Sequence, residues 1–233
     1  MAVINLNNGR YEGDLNSSNE PNGYGICDYN NGDRYQGEWS NGKWFGFGEY
    51  YINGKLRYKG HFLNNVCCGK GTLYMDNGDI YEGDFIDGYY DGNGVYSFVG
   101  GNKYVGSFKK GKFSGDGIFY FSNGDKYVGS FLNDHYHGKG VLYFYDGERY
   151  EGDFYNGKKE GQGKYFYRDG TLYEGEFKNG ERTGYGKHYS DKRLVYSGYF
   201  MKGYYHGSGT FYYENGNFET GLWENGKLVK PTN

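Results

Sequence analysis

Proline is nearly absent, with 2 in 233 residues, and cysteine is scarce, with 3. An odd set of cysteines (Cys27, Cys67, Cys68) without a C-x-x-C pair supports neither a disulfide framework nor a zinc site. Little proline, with glycine that follows no every-third-residue period, excludes a collagen-like chain. No apolar run approaches the ~18–20 residues of a membrane span. The segment Met1–Gly9 has neither the basic start nor the apolar stretch of a signal peptide, so a cytoplasmic protein is expected. A large excess of one charge is missing as well. The net charge of −3 gives no strong attraction to nucleic acid or anionic lipid, although residues 1–155 carry −6 and residues 156–233 carry +3. Aliphatic residues are few, so any core must be built from rings.

Rings and glycine are what the chain has: 45 Gly, 31 Tyr and 17 Phe. They fall in strict register. The triplet Y-x-G begins at Tyr11, Tyr35, Tyr58, Tyr81, Tyr104, Tyr127, Tyr150, Tyr173 and Tyr196, at a spacing of 23 from Tyr35 onward. The triplet G-x-G begins at Gly23 and recurs every 23 residues to Gly207. The first tyrosine interval is 24, with its extra residue in Ser17–Pro21. A tenth copy is degenerate: Glu219 stands in the tyrosine position, while Gly221 and Trp223 keep the register. A fixed period of this length is the signature of a repeat architecture. It implies one repeat domain over residues 1–233.

Each copy reads as a β-hairpin. A strand such as Tyr81-Glu-Gly-Asp-Phe85 leads to an Asn-Gly or Asp-Gly turn, as at Asn41-Gly42 and Asp87-Gly88. A second strand runs from G-x-G into apolar and aromatic residues, as in Gly138–Phe144, and another turn closes the unit. No helical period appears, so the fold expected is all-β: an elongated single-layer antiparallel sheet of tandem 23-residue hairpins. About twenty strands at ~4.8 Å each would make a ribbon of roughly 95 Å before twisting. Because side chains alternate faces along a strand, Tyr, Gly and Phe of the first strand share one face and the acids between them the other. Both glycines of G-x-G are expected to face the rings and provide a flat floor for them. Glycine costs ~0.5–1 kcal/mol in a strand, and only ring burial of a few kcal/mol offsets so many of them.

The pattern Tyr-Glu-Gly-Asp/Glu-Phe, Asn-Gly-Lys, x-Gly-x-Gly, Asp-Gly resembles the MORN repeat (membrane occupation and recognition nexus). Tyr150–Lys158 and Tyr173–Gly180 are its nearest matches, and the resemblance covers about residues 9–228. Members of this family include junctophilins, plant phosphoinositide kinases, a histone lysine methyltransferase, ciliary radial-spoke heads and cytoskeletal scaffolds of protists. In the enzymes among them the chemistry resides in a separate domain. The resemblance therefore implies a non-enzymatic scaffold or adaptor, cytoskeletal or ciliary, whose partners are other proteins of a larger assembly. Homo-association through sheet edges is a further expectation, limited by Pro231.

Other chemistries fare worse. Recurring carboxylate pairs such as Glu82 and Asp84 describe a solvated face, since catalytic pairs need an enclosed environment that drives two pKa values apart. The G-x-G triplets lack the following helix N-terminus of a dinucleotide fingerprint. No catalytic residue, cofactor or metal is implied. Cys67 falls in a column with Trp44, Tyr90, Phe113, Tyr136 and Tyr205, and Cys27 in one with Leu73 and Phe119, so both are expected beside the rings. The candidate binding residues lie three beyond the second glycine of G-x-G: Tyr51, Tyr74, Tyr120, Tyr143, Phe166, Tyr189 and Tyr212. This ladder reads either as a protein-binding surface or as cross-strand packing. The alternative function is phosphoinositide or membrane contact, with Lys109, Lys110 and Lys112, or Lys192 and Arg193, as its only cationic candidates. A surface carbohydrate-binding repeat is the third reading, opposed by the low count of 3 Trp.

Overall fold

A strand that places tyrosine and glycine on one face can pair closely with its neighbours only if glycine meets glycine, and that is the register found. The computed structural model describes residues 1–232. They form twenty-one strands and no helix. The chain divides into two compact units, residues 1–113 and 114–233. Within each, successive strands pair antiparallel in chain order, as in the hairpin Ile80–Ile86 with Tyr89–Ser97. The all-β fold of tandem hairpins expected from the sequence is the fold observed.

Within each unit glycines oppose one another along a row that crosses successive strand pairs, ending where Gly13 meets Ala2 and Gly221 meets Pro231. In the first unit it runs Gly13–Gly25–Gly37–Gly48–Gly60–Gly71–Gly83–Gly94–Gly106. In the second it runs from Gly117 through Gly163 to Gly221. Tyr11, Tyr35, Tyr58, Tyr81, Tyr127, Tyr150, Tyr173 and Tyr196 each lie flat across two members of the row. A Cβ on Gly163 would fall 2.5 Å from Tyr150 Cε2, and one on Gly152 would fall 2.6 Å from the Gly163 Cα. The tyrosine hydroxyl then donates to the carbonyl three residues on, from Tyr11 to Asp14 at 2.8 Å and at 2.8–3.1 Å in all nine copies. All nine tyrosines are at most 2% exposed.

One expectation is corrected. Only the second glycine of each G-x-G belongs to the floor. The first sits in the left-handed region, at φ +58° for Gly69 and +66° for Gly161, where the pairing register shifts. A Cβ on Gly46 or Gly184 would strike the Glu38 or Glu176 carboxylate on the opposite face. The reason is a β-bulge: the extra residues need a positive φ, which glycine supplies without a Cβ penalty. The turn after the tyrosine strand is two residues with both φ positive (Asn41 +47°, Gly42 +75°), a match to strand twist. Its second residue donates to a carbonyl of the neighbouring repeat, as from Gly157 to Tyr136 at 2.9 Å.

Phenylalanines knit these tyrosines into a spine. Tyr150 meets Phe154 of its own repeat at 5.1 Å and Phe177 of the next at 4.9 Å, both edge to face. The alternation holds from Tyr11 to Phe108 in the first unit and from Phe131 to Trp223 in the second. Trp223 pairs with Gly207 as Phe200 does with Gly184, so the degenerate tenth copy keeps its packing role. A second layer of rings covers the spine, with Trp44 stacked on Tyr35 at 4.6 Å and Tyr205 on Tyr196 at 3.8 Å. Cys27 is fully buried in it, and burial pushes the Cys67 thiol up to about 11.

Two outcomes follow from this packing. Gly163→Ala places a methyl inside the Tyr150 ring and should lower stability by about 1–3 kcal/mol. Gly100→Ala, which meets open space at an ordinary φ, should be neutral or stabilise by up to about 1 kcal/mol. Urea unfolding followed by circular dichroism measures both. His188 replaces a ring of the second layer, 2.7 Å from the Tyr205 hydroxyl. Burial first, and Arg182 second, hold its imidazole below the ordinary 6.5. The folded state thus resists its protonation. That stability is complete above the unfolded value and declines as pH falls below it. Between pH 7 and 5 the wild type should lose more stability than His188→Phe; equal slopes would remove the role assigned to this ring.

Candidate functional site

With the spine on one face, the opposite face carries the acids and the tyrosine ladder. The acid after Y-x-G has a structural task that sequence reasoning did not assign. It accepts a hydrogen bond from the amide that follows the bulge glycine: Asn93 N donates to Asp84 Oδ2 at 2.9 Å, Gln162 N to Asp153 at 3.1 Å and Tyr185 N to Glu176 at 3.0 Å. Several acids also pair with lysines across the strands, as in Lys70–Asp84 and Lys139–Asp153, both at 2.6 Å. Lys70 and the bulge amide together hold the Asp84 carboxyl below its usual range. Exposed pairs of this kind contribute at most about 1 kcal/mol each. The acidic side chains are therefore engaged in holding the sheet.

The ladder residues all lie on this outer face. In the first unit, Tyr51 donates to the Glu49 carboxylate at 2.6 Å, and Tyr74 is paired across from Ile80. In the second, Tyr120 and Tyr143 are 41% and 36% exposed. Lys126 lies over the Tyr143 ring at 4.6 Å, and the Arg149 guanidinium over Phe166 at 4.2 Å. Tyr189 is paired across from Leu172, and Tyr212 is 6.3 Å from the Phe218 ring. The ladder thus contributes cation–π and cross-strand contacts; Tyr120 and Tyr143 are its exposed rings, and the other five are half-buried.

Beside these rings the glycine row leaves the sheet bare, and the longer side chains around it wall a furrow. In the first unit it encloses about 780 Å³ between Phe47, Lys59, His61, Thr72, Glu82 and Val95. The second unit has a smaller counterpart of about 270 Å³ near Lys139, Glu151 and Lys164. Both are open and shallow, with backbone as their floor.

On the ring face the second unit departs from the repeat. The column that holds Trp44, Tyr90, Phe113, Tyr136 and Tyr205 is filled by Lys159 and Arg182 in two consecutive copies. Lys159 Nζ lies 4.4 Å from the Tyr165 ring centroid and 5.4 Å from that of Tyr150. Arg182 lies over Tyr173 at 5.5 Å and Tyr167 at 5.7 Å, and donates to the Gly203 carbonyl at 2.7 Å. Sequence reasoning passed over both residues, although reading that column through all copies exposes them.

The MORN-repeat family model matches residues 11–34, 35–55, 58–80, 81–103, 104–126, 127–149, 150–172, 173–192 and 196–218. A search of curated proteins finds no match. Among solved structures, the chain is similar to the TCP domain of SAS-4 (dCPAP) of Drosophila melanogaster in complex with a proline-rich motif of Ana2 (dSTIL). The TM-score is 0.38 and the identity 12%, over 71% of this chain and 85% of that one. It is also similar to the TCP10 domain of Danio rerio CPAP in complex with a STIL peptide, at a TM-score of 0.35 and 13% identity, over 95% and 98% of the two chains. Likeness of that degree carries no functional weight. The nine matched segments begin at the nine tyrosines that lie over the glycine row, and the chain belongs to the MORN-repeat family.

Proposed function

We propose that this chain is a non-enzymatic scaffold that holds other proteins of a larger assembly on the outer face of its repeats. One observation carries the reading: in the second unit the outer face presents the exposed rings of Tyr120 and Tyr143 together with a bare furrow, while the opposite face already supplies the core. Rings that the fold does not bury are available to a partner, and tyrosine is enriched at interfaces. The family resemblance suggests a cytoskeletal or ciliary setting. The terminal strands Ala2–Leu6 and Lys227–Pro231 offer edges for association with a second copy.

Replacing Tyr74, Tyr120 and Tyr143 together with Ser should abolish capture of partner proteins from the native cell and leave the β-type circular dichroism intact. Loss of the dichroism would assign the ladder to packing, and undiminished capture would refute the outer-face reading. Co-sedimentation with phosphoinositide liposomes over a range of salt concentrations separates out the membrane alternative. Binding that is lost with Lys109, Lys110 and Lys112, and not with the tyrosines, would favour it.

A further inference from the structure

Two of the three tryptophans meet on the ring face of the first unit, where Trp39 and Trp44 line an open pocket of about 330 Å³ with Tyr29, Tyr50 and Asp33. Tyr29 stands at 63° to the Trp44 indole and Tyr50 at 44°, with centroids 6.1 and 5.0 Å away. Rings inclined in this way form walls rather than a stack. The Trp44 indole N–H donates to the Tyr29 hydroxyl at 2.8 Å, which ties two of the walls together. Asp33 is the one charged residue of the lining. Its Oδ2 accepts from the Tyr50 hydroxyl at 2.5 Å and from Asn31 Nδ2 at 2.8 Å, while its Oδ1 accepts nothing among the described residues. In two later copies that oxygen is used: Asp79 Oδ1 accepts from Val99 N and Asp125 Oδ1 from Tyr145 N, both at 2.9 Å. The residue at that place after Asp33 is Asn53, the first of a two-residue turn at φ +48°, and it makes no such bond.

Another copy of the repeat shows what such a nook accepts. Five copies beyond Trp44 the same column holds Lys159, and its surroundings correspond: Phe144 to Tyr29, Tyr150 to Tyr35, Tyr165 to Tyr50 and Glu148 to Asp33. Lys159 Nζ lies 4.4 Å from the Tyr165 centroid, 5.4 Å from that of Tyr150 and 5.7 Å from that of Phe144. Burial opposes its charge, and Glu148, which accepts from the Tyr165 hydroxyl, favours it. A cation within about 6 Å of a tyrosine or tryptophan face is attracted by the ring quadrupole. In the first unit Trp44 takes the lysine's place, which adds a ring and leaves the carboxylate without a cation. Burial and then Asp33 push the Tyr50 hydroxyl up to about 12, and no cation offsets them. Arg34, next to Asp33 in the chain, is bound to Asp28 at 2.5 Å. We infer that the pocket between Trp44, Tyr29 and Tyr50 receives the ammonium of a lysine side chain presented by a partner protein, with Asp33 Oδ1 accepting one of its N–H groups. The partner rests on the scaffold reading, but the pocket lies on the face opposite the tyrosine ladder, so the two can fail separately.

The test uses the full chain and the tripeptide Gly-Lys-Gly blocked at both ends, with its acetyl-lysine form as the neutral control. The indole N–H resonances of Trp39, Trp44 and Trp223 are the readout, since only the first two line the pocket. The lysine peptide should shift Trp39 and Trp44 saturably and leave Trp223 in place. Asp33→Asn keeps an acceptor for the Tyr50 hydroxyl, so its thermal midpoint should hold while the affinity falls about tenfold. Trp44→Lys supplies an ammonium from within, as Lys159 does, and should abolish the shift of Trp39. Tyr74, Tyr120 and Tyr143 replaced by Ser should leave the affinity for the peptide unchanged, whatever becomes of partner capture. No saturable shift, an equal response to the acetyl-lysine peptide, or an affinity in Asp33→Asn within roughly twofold of wild type would overturn the assignment. n-Butylammonium competing as well as the peptide would also overturn it, by pointing to a free amine rather than a protein side chain.

Discussion

The structure depends on one contact, the tyrosine ring laid across two facing glycines. Neither glycine tolerates a Cβ, because each would strike the ring or the opposing backbone. Two glycines in strands cost about 1–2 kcal/mol together. Burial of one large side chain returns about 1.5–3 kcal/mol, and each edge-to-face ring partner adds about 0.5–1.5 kcal/mol. The hydroxyl would be a liability at this depth, but the bulge brings the carbonyl of the residue three beyond within its reach. The contact is closed within one hairpin and its neighbours. Stability therefore accumulates repeat by repeat, and no copy needs a distant partner to fold.

That closure divides labour between the faces. The ring face carries the core in two layers, spine and column. The outer face supplies bulge acceptors, cross-strand ion pairs and the ladder's cation–π contacts, and it carries no buried spine. Ser107 and Ser130 illustrate the slack: where the acid is absent, the hydroxyl bonds across the strands to Asn93 at 3.1 Å and Asp116 at 3.0 Å, and the hairpin persists. A face on which substitutions are absorbed so easily is a face on which recognition can be written without loss of fold.

Much of this was legible in the residues. The period of 23, the alternation of Tyr, Gly and Phe and the Asn-Gly turns lead directly to antiparallel hairpins with rings over glycine. The placement of Cys27 and Cys67 beside the rings followed from column position alone. The first glycine of G-x-G was misread because strict alternation of faces assumes a regular strand, and a bulge breaks that parity. The acids looked merely solvated for the same reason: the amide they bind exists only once the bulge has formed. Lys159 and Arg182 were visible in the column but stood out only when their rings below were known.

The column is where the repeats diverge most in chemistry while agreeing in backbone. Indole, phenyl, phenol, thiol, ammonium and guanidinium all occupy it above the same buried tyrosine. This tolerance has a physical cause. The spine is held laterally, by phenylalanines at its edges and glycines beneath, so the group above it needs only an apolar underside. Long cationic side chains provide one through their methylene stems. A position that accepts charge without disturbing the layer below is suited to distinguishing one repeat from the next, and in the second unit two consecutive copies use it to place positive charge against tyrosine rings. The repeats thus act as interchangeable supports, and the differences among them fall in the side chains set above a common backbone.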